Sequence, residues 1–167
     1  MAIGTRKPDQ NDAGSTPPFR SVGFMLSTLG YAVSRRFHAV LAPLDLEPSE
    51  FAILRAVGFS EGQSQHALAE RLHISPSHMV ALVDELERRA LLERRPLAGD
   101  RRVRALHLTG AGEKLLAQAF ELAKQHEQLV SKALSAKERA QLLDLLGRIA
   151  AALELQPGAH SALRERD

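Results

Sequence analysis

The sequence predicts a mainly helical chain that carries one short β-hairpin. Three observations predict it. Leu and Ala dominate an apolar fraction of 44%, while aromatics supply 4% and Trp is absent, so helix is the favoured state over most of the 167 residues. Apolar residues recur at three- and four-residue steps in several separate stretches, which is the spacing of one helical face. Between residues 92 and 108 that spacing gives way to two short runs, 92–95 and 103–108, in which Leu106 and Leu108 share a face by two-residue alternation.

Taken in order, residues 1–18 are polar and rich in Pro, Gly, Asp and Asn, and a disordered arm is expected there. The arm has no apolar core of signal-peptide length, and no run in the chain approaches membrane-spanning length. With no cysteine, disulfides and thiolate metal sites are excluded. A soluble, cytoplasmic protein is the expectation. A helix is predicted from about Phe19 to Leu41 on the stripe Val22, Met25, Leu26, Leu29, Val33, Phe37 and Leu41, with Pro43 ending it. Pro48 suits the first turn of the next helix and Glu50 favours its N-terminus. Phe51, Leu54 and Val57 make its buried face, and Gly58 is expected to close it.

Ser64 opens a short helix with Leu68 and Leu72 inward, and His73-Ile74 form a turn. Ser75-Pro76 restarts the helix with an N-cap residue followed by a proline at the first helical position. Met79, Leu82, Val83 and Leu86 form its buried stripe. Near its start the opposite face carries Ser77, His78 and Ala81, with Val80 at the edge. Two helices joined by a tight turn make a helix-turn-helix, whose second helix can enter a major groove N-terminus first. The hairpin that follows, with Pro96 and Gly99 in its turn, is the wing of a winged helix-turn-helix.

Thr109 caps a long helix expected to reach about Leu134, and Ser135 with Glu138 is a capping-box pattern that starts another. Its stripe is Leu142, Leu145, Leu146, Ile149 and Leu153, and Pro157-Gly158 stop it. The long terminal helices exceed what a winged domain needs to cover itself, so a homodimer that buries the surplus is expected. The predicted organisation is an arm at 1–18, a dimerisation helix at 19–45, a winged DNA-binding domain at 46–109, dimerisation helices at 110–156 and a tail at 157–167. The fold class is thus mainly α with a small β-hairpin wing, flanked by N- and C-terminal dimerisation helices.

Charge points the same way. From Arg88 to Arg104 there are seven arginines against Glu93 and Asp100, while the whole chain is only +2. A focused positive patch behind a helix is the electrostatic footprint of nucleic-acid binding. The alternatives are a winged-helix module used for protein–protein assembly, or a metal-responsive regulator of the same fold. No Gly-rich phosphate loop or nucleophile motif appears, and no enzyme activity is expected. His66 and His73 lie seven apart and no His pair stands at i, i+4, so neither a metal nor a cofactor is indicated.

The run LVDELERRALLERRPLAGDRRVRALHLTGAGEKLL resembles the MarR (multiple antibiotic resistance regulator) family of winged-helix transcription factors. The family's wing pattern is met by Asp100, Arg102, Leu106, Leu108, Thr109 and Gly112, and the body of its recognition helix by Leu82, Val83, Asp84, Leu86 and Glu87. The resemblance spans about Phe19 to Leu153. It implies a triangular dimer with two recognition helices in successive major grooves of a palindrome. It places Ser75, Pro76, Ser77, His78, Val80 and Ala81 at DNA-facing positions and Arg101 or Arg102 at a wing tip in the minor groove, steadied by Asp100. Ser64, Gln65 and the wing arginines, Arg94 among them, are the expected phosphate contacts.

Two departures stand out. Ala90 replaces the usual Gly after the recognition helix, so that helix is expected to end differently. Val80 and Ala81 stand where Thr and Arg are frequent, which leaves polar base readout to Ser77 and His78 and limits the other two to thymine methyls. By family habit a small effector, aromatic or an acyl thioester, would release the DNA. Candidate lining residues are Met25, Leu29, Arg35, Arg36, Phe37 and Phe51, several of which read equally as core.

Overall fold

The computed structural model describes residues 21–97 and 100–155. Its helices are α1 (Val22–Leu41), α2 (Pro48–Phe59), α3 (Gln65–Leu72), α4 (Pro76–Arg88), α5 (Gly110–Val130) and α6 (Ala136–Ala152). The hairpin strands β1 (Leu92–Leu97) and β2 (Asp100–Leu108) lie between α4 and α5. The described residues fall into two compact units divided inside α1, between Arg35 and Arg36. The arm at 1–18 and the stop at Pro157-Gly158 lie outside the described residues.

Each helix of the second unit starts where local chemistry satisfies its free N–H groups. Ser64 Oγ accepts from Ala67 N at 3.1 Å and Ser75 Oγ from His78 N at 3.3 Å. Thr109 Oγ1 accepts from Gly112 N at 3.0 Å, and Ser135 and Glu138 form the expected capping box. At α2 the Glu50 carboxylate accepts from Glu47 N at 2.9 Å. The core then assembles from the predicted stripes, of which Leu41, Leu54, Leu68, Met79, Val83, Leu86 and Leu106 are all but fully buried, and Ile53 and Leu92 join them. Rings of Phe37, Phe51 and Phe120 meet edge to face with centroids 5.7 Å apart, and His126 packs on Phe37.

Several elements differ from the sequence reading. Gly58 lies inside α2, which continues to Phe59. A Cβ there would sit 2.9 Å from Leu116 Cδ2 and 3.1 Å from Leu108 Cδ1, so the glycine permits close packing rather than termination. Pro96 is not in the turn but in β1, opposite Arg104, with a register shift between Pro96 and Leu97. A two-stranded hairpin is all edge, where a missing N–H is tolerated. Helix α5 stops at Val130, four residues early, where Ser131 Oγ donates back to Glu127 O at 2.8 Å and the chain tightens into turns. The loop before α3 adds a rung that alternation did not signal. Gly62, at φ +81°, donates to Leu106 O and Leu106 donates to Gln63 O, bridging Ser64 to Ala105.

Helix α4 also ends otherwise than expected. Ala90 takes the left-handed conformation at φ +53° that its replacement of Gly argued against. Leu91 N bonds Leu86 O and Ala90 N bonds Glu87 O, which is a Schellman closure. The strain, about 1 kcal/mol, is offset from outside the helix. Thr109 Oγ1 donates to Ala90 O at 2.6 Å and Thr109 N donates to Leu91 O at 3.1 Å. Gly112 presses against the same turn so closely that a Cβ would lie 2.0 Å from Leu91 O.

That junction yields opposite expectations for two small substitutions. Gly112→Ala should destabilise the fold by about 3 kcal/mol through forced backbone displacement. Ala90→Gly should stabilise it by roughly 0.5–1 kcal/mol by removing left-handed strain. Denaturant unfolding checks both, and a neutral Gly112→Ala would refute the close approach.

Candidate nucleic-acid interface

Helices α3 and α4 are joined by His73, left-handed at φ +53°, and by buried Ile74. Ile74 N bonds Ala69 O and fixes the bend. Arg71 donates to Ala56 O at 3.0 Å and ties α3 to α2. Met79, Val83 and Leu86 hold α4 in the core, which turns the other side of its first turns outward. There Pro76, Ser77 and Ala81 are exposed, Val80 is 44% exposed and His78 is half-buried. Beside them an apolar groove of about 260 Å³ runs between α3 and α4, lined by Gln65, His66, Ala69, Pro76, Met79 and Val80.

Ser64 and Ser75 both cap helices as acceptors, which leaves the Ser64 hydroxyl a proton to donate outward, while Ser75 Oγ also shares a hydrogen bond with Ser77 Oγ at 3.3 Å. Of the expected contact residues, Gln65 of α3 and Pro76 and Val80 of α4 line that one groove. The side chains of Asp100, Arg101 and Arg102 lie outside the described residues.

The arginine window is far less positive in space than in sequence. Arg88 pairs with Glu85 at 2.6 Å, which lowers the Glu85 pKa chiefly through that hydrogen bond and raises that of Arg88. Arg89 pairs with buried Glu50 at 3.2 Å and donates to Asp45 O at 2.5 Å. Arg94 pairs with Glu87 and Asp84, and Arg95 with Glu93. Most of these carboxylates come from outside the window, from Asp45 to Glu87. Arg104 is exposed.

Comparison with known proteins decides the identity. The MarR family model matches residues 44–103. A Thauera aromatica protein assigned as the transcriptional regulatory protein for the hcr operon is 31% identical over 129 residues, covering 77% of this chain and 78% of that protein. The chain belongs to the MarR family.

Escherichia coli transcriptional regulator HosA is 30% identical over 105 residues, 63% of this chain and 78% of HosA. Among solved structures, the transcriptional repressor CouR bound to a 23-mer DNA duplex matches with a TM-score of 0.71 at 34% identity, covering 78% of this chain and 92% of CouR. CouR bound to p-coumaroyl-CoA matches with a TM-score of 0.68 at 31% identity, covering 78% and 91%. As a MarR-family member the chain is a transcriptional regulator with a winged-helix fold.

Within that MarR frame the sequence-predicted effector residues divide. Phe37 and Phe51 touch each other in the core of the second unit, and Arg36 is exposed there. Met25, Leu29 and Arg35 are exposed on the first unit. His126, on the apolar side of α5, is a core histidine packed on Phe37, and its Nε2 is buried with no hydrogen-bond partner among the described residues. The sequence reading missed the Glu50–Arg89 pair, which no local spacing signals across 39 residues. Among the described residues no group of three His, Asp or Glu is placed to hold a metal ion.

The Glu50–Arg89 pair fixes the C-terminal end of α4 to the start of α2. Glu50→Gln should cost on the order of 2–3 kcal/mol, since it leaves Arg89 poorly paired and weakens the α2 cap. Chemical denaturation measures this; an unchanged midpoint would remove the pair from the account.

Proposed function

We propose that this MarR-family chain is a repressor that binds a palindromic DNA operator as a homodimer and is released by a small aromatic effector. The observation that carries the DNA reading is the outward N-terminal face of α4, with Ser77, His78, Val80 and Ala81 beside an apolar groove. Ser77 and His78 supply polar readout of base edges, while Pro76, Val80 and Ala81 pack on thymine methyls. Ser64 and Ser75 donate to phosphates, and Gln65 lies next to them on α3. Arg101 or Arg102 enters the minor groove with Asp100 as its support. The likeness to DNA-bound CouR supports this assignment.

Dimerisation is supported by α6. None of its residues is buried, and Leu142 and Leu145, on one face of the helix, are 42% and 44% exposed. A helix with such an apolar side is stable only when it is covered, and a second copy covers it symmetrically. Two α4 helices so held would meet grooves one turn apart, about 34 Å. Repression then follows from occlusion of a promoter.

An aromatic effector, free or as an acyl thioester, is supported by the likeness to CouR bound to p-coumaroyl-CoA and by the ring series of the core. Phe37, Phe51, Phe120 and Phe59 follow one another at centroid distances of 5.7–5.9 Å, and the unpaired His126 Nε2 offers a polar handle. A coupling of about 1–3 kcal/mol between effector and operator suffices to change occupancy.

Two measurements test the reading. Affinity for duplex DNA should fall by about 10³-fold as salt rises from about 50 to 200 mM, because phosphate contacts release counterions. No duplex binding at low salt, or binding indifferent to salt, would contradict it. Leu145→Asp should yield a folded monomer in sedimentation equilibrium, and an intact dimer would place the interface elsewhere.

A further inference from the structure

Arg94 is placed unlike a cation that contacts DNA from outside. The strand register pairs Leu92 with Leu108 and Arg94 with Leu106, so Arg94 lies on the hairpin face that carries the core leucines. Its guanidinium therefore points back at α3 and α4. Nη1 donates to Glu87 Oε2, Nη2 donates to Asp84 Oδ1 at 2.5 Å and to Gln65 Oε1 at 3.1 Å, and Nε donates to Gln65 Oε1 at 3.3 Å. Four N–H groups (one on Nε, one on Nη1, two on Nη2) of the five a guanidinium possesses are thus engaged within the chain. Arg94 N also donates to Glu87 Oε1 at 3.3 Å. One positive charge faces two carboxylates, so the cluster is net negative and repels a phosphate.

We propose that Arg94, gripped by Glu87, Asp84 and Gln65, is a positioning residue that clamps the wing to the recognition helix rather than a DNA contact. The inference rests on the DNA-binding reading above and adds a source of specificity to it. A two-stranded hairpin is marginal alone, and its tip is set by what braces its base. The brace fixes the distance between the N-terminus of α4 and the wing tip, and hence the register between major- and minor-groove contacts. It also neutralises one of two acids, Asp84 and Glu87, that α4 would otherwise carry towards a phosphate-lined groove. Only a planar fork reaches acceptors on both helices at once; a lysine ammonium does not.

The test uses full-length protein, a duplex selected from a randomised pool, and an unselected random duplex. Glu87→Gln removes a negative charge, so electrostatics alone would tighten binding to both. The clamp predicts that binding to the selected duplex weakens about tenfold while binding to random duplex does not weaken. Arg94→Met should weaken selected binding similarly, yet leave the salt slope on random duplex unchanged, and Arg94→Lys should fail to restore selected binding.

Tighter binding of the selected duplex by Glu87→Gln overturns the clamp. So does a fall of about 0.9 in the salt slope for Arg94→Met, the signature of one lost phosphate contact, or full restoration by Lys. Circular dichroism and thermal unfolding confirm that each variant is folded. If Glu87→Gln is unfolded, Asp84→Asn, whose side chain is 58% exposed, carries the same prediction of sign. Failure of the parent protein to bind any duplex at low salt overturns the DNA reading itself, whereas parental binding with a wrong sign in the variants overturns only the clamp.

Discussion

The end of α4 and the start of α5 are pressed together within van der Waals limits, and the rest of the second unit is arranged around that closure. Gly112 leaves no room for a side chain against Leu91 O, while Thr109 bonds both Ala90 O and, through its amide, Leu91 O. Because residues 91 and 109 are held together, Leu92 must pair with Leu108, and the register of the whole hairpin follows. That register puts Arg94 on the inner face, where acids of α4 and Gln65 of α3 receive it. A strained Ala90 is tolerated because the groups that bond its turn come from elsewhere in the chain.

Electrostatics changes meaning once the chain is folded. A net +5 over seventeen residues suggests a uniformly basic surface, but acids from outside the window, Glu50, Asp84, Glu85 and Glu87, pair with three of its arginines. Arginines at the base of the hairpin serve to join elements: Arg89 links α4 to α2, and Arg94 links β1 to α3 and α4. A protein organised in this way separates the task of shaping the interface from the task of charging it.

What the sequence made legible is what local chemistry determines. Ser64, Ser75, Thr109 and Ser135 cap helices because a hydroxyl three residues ahead of an amide is sufficient cause. The stripes Met79, Val83, Leu86 and Leu68, Leu72 follow from helical periodicity alone. Illegible features depend on partners remote in sequence. Gly58 reads as a stop until Leu108 and Leu116 are brought against it. Pro96 reads as a turn until a two-stranded ribbon makes its missing N–H harmless. Arg94 reads as one more arginine of the basic run until the pairing of Leu92 with Leu108 puts it on the inner side of the hairpin. The outward face of α4 was legible because a buried stripe defines its opposite.

Under the proposed function, helix and wing are set relative to each other as one reading unit, which a dimer would present twice. Footprinting of the full-length protein on a selected duplex tests this most directly, with dimethyl sulfate for the major groove and hydroxyl radicals for the minor groove. Two protected major-groove segments about 10 base pairs apart, each flanked by a protected minor-groove stretch, are the predicted result. One protected segment alone, or major-groove protection without the flanking stretches, would contradict it.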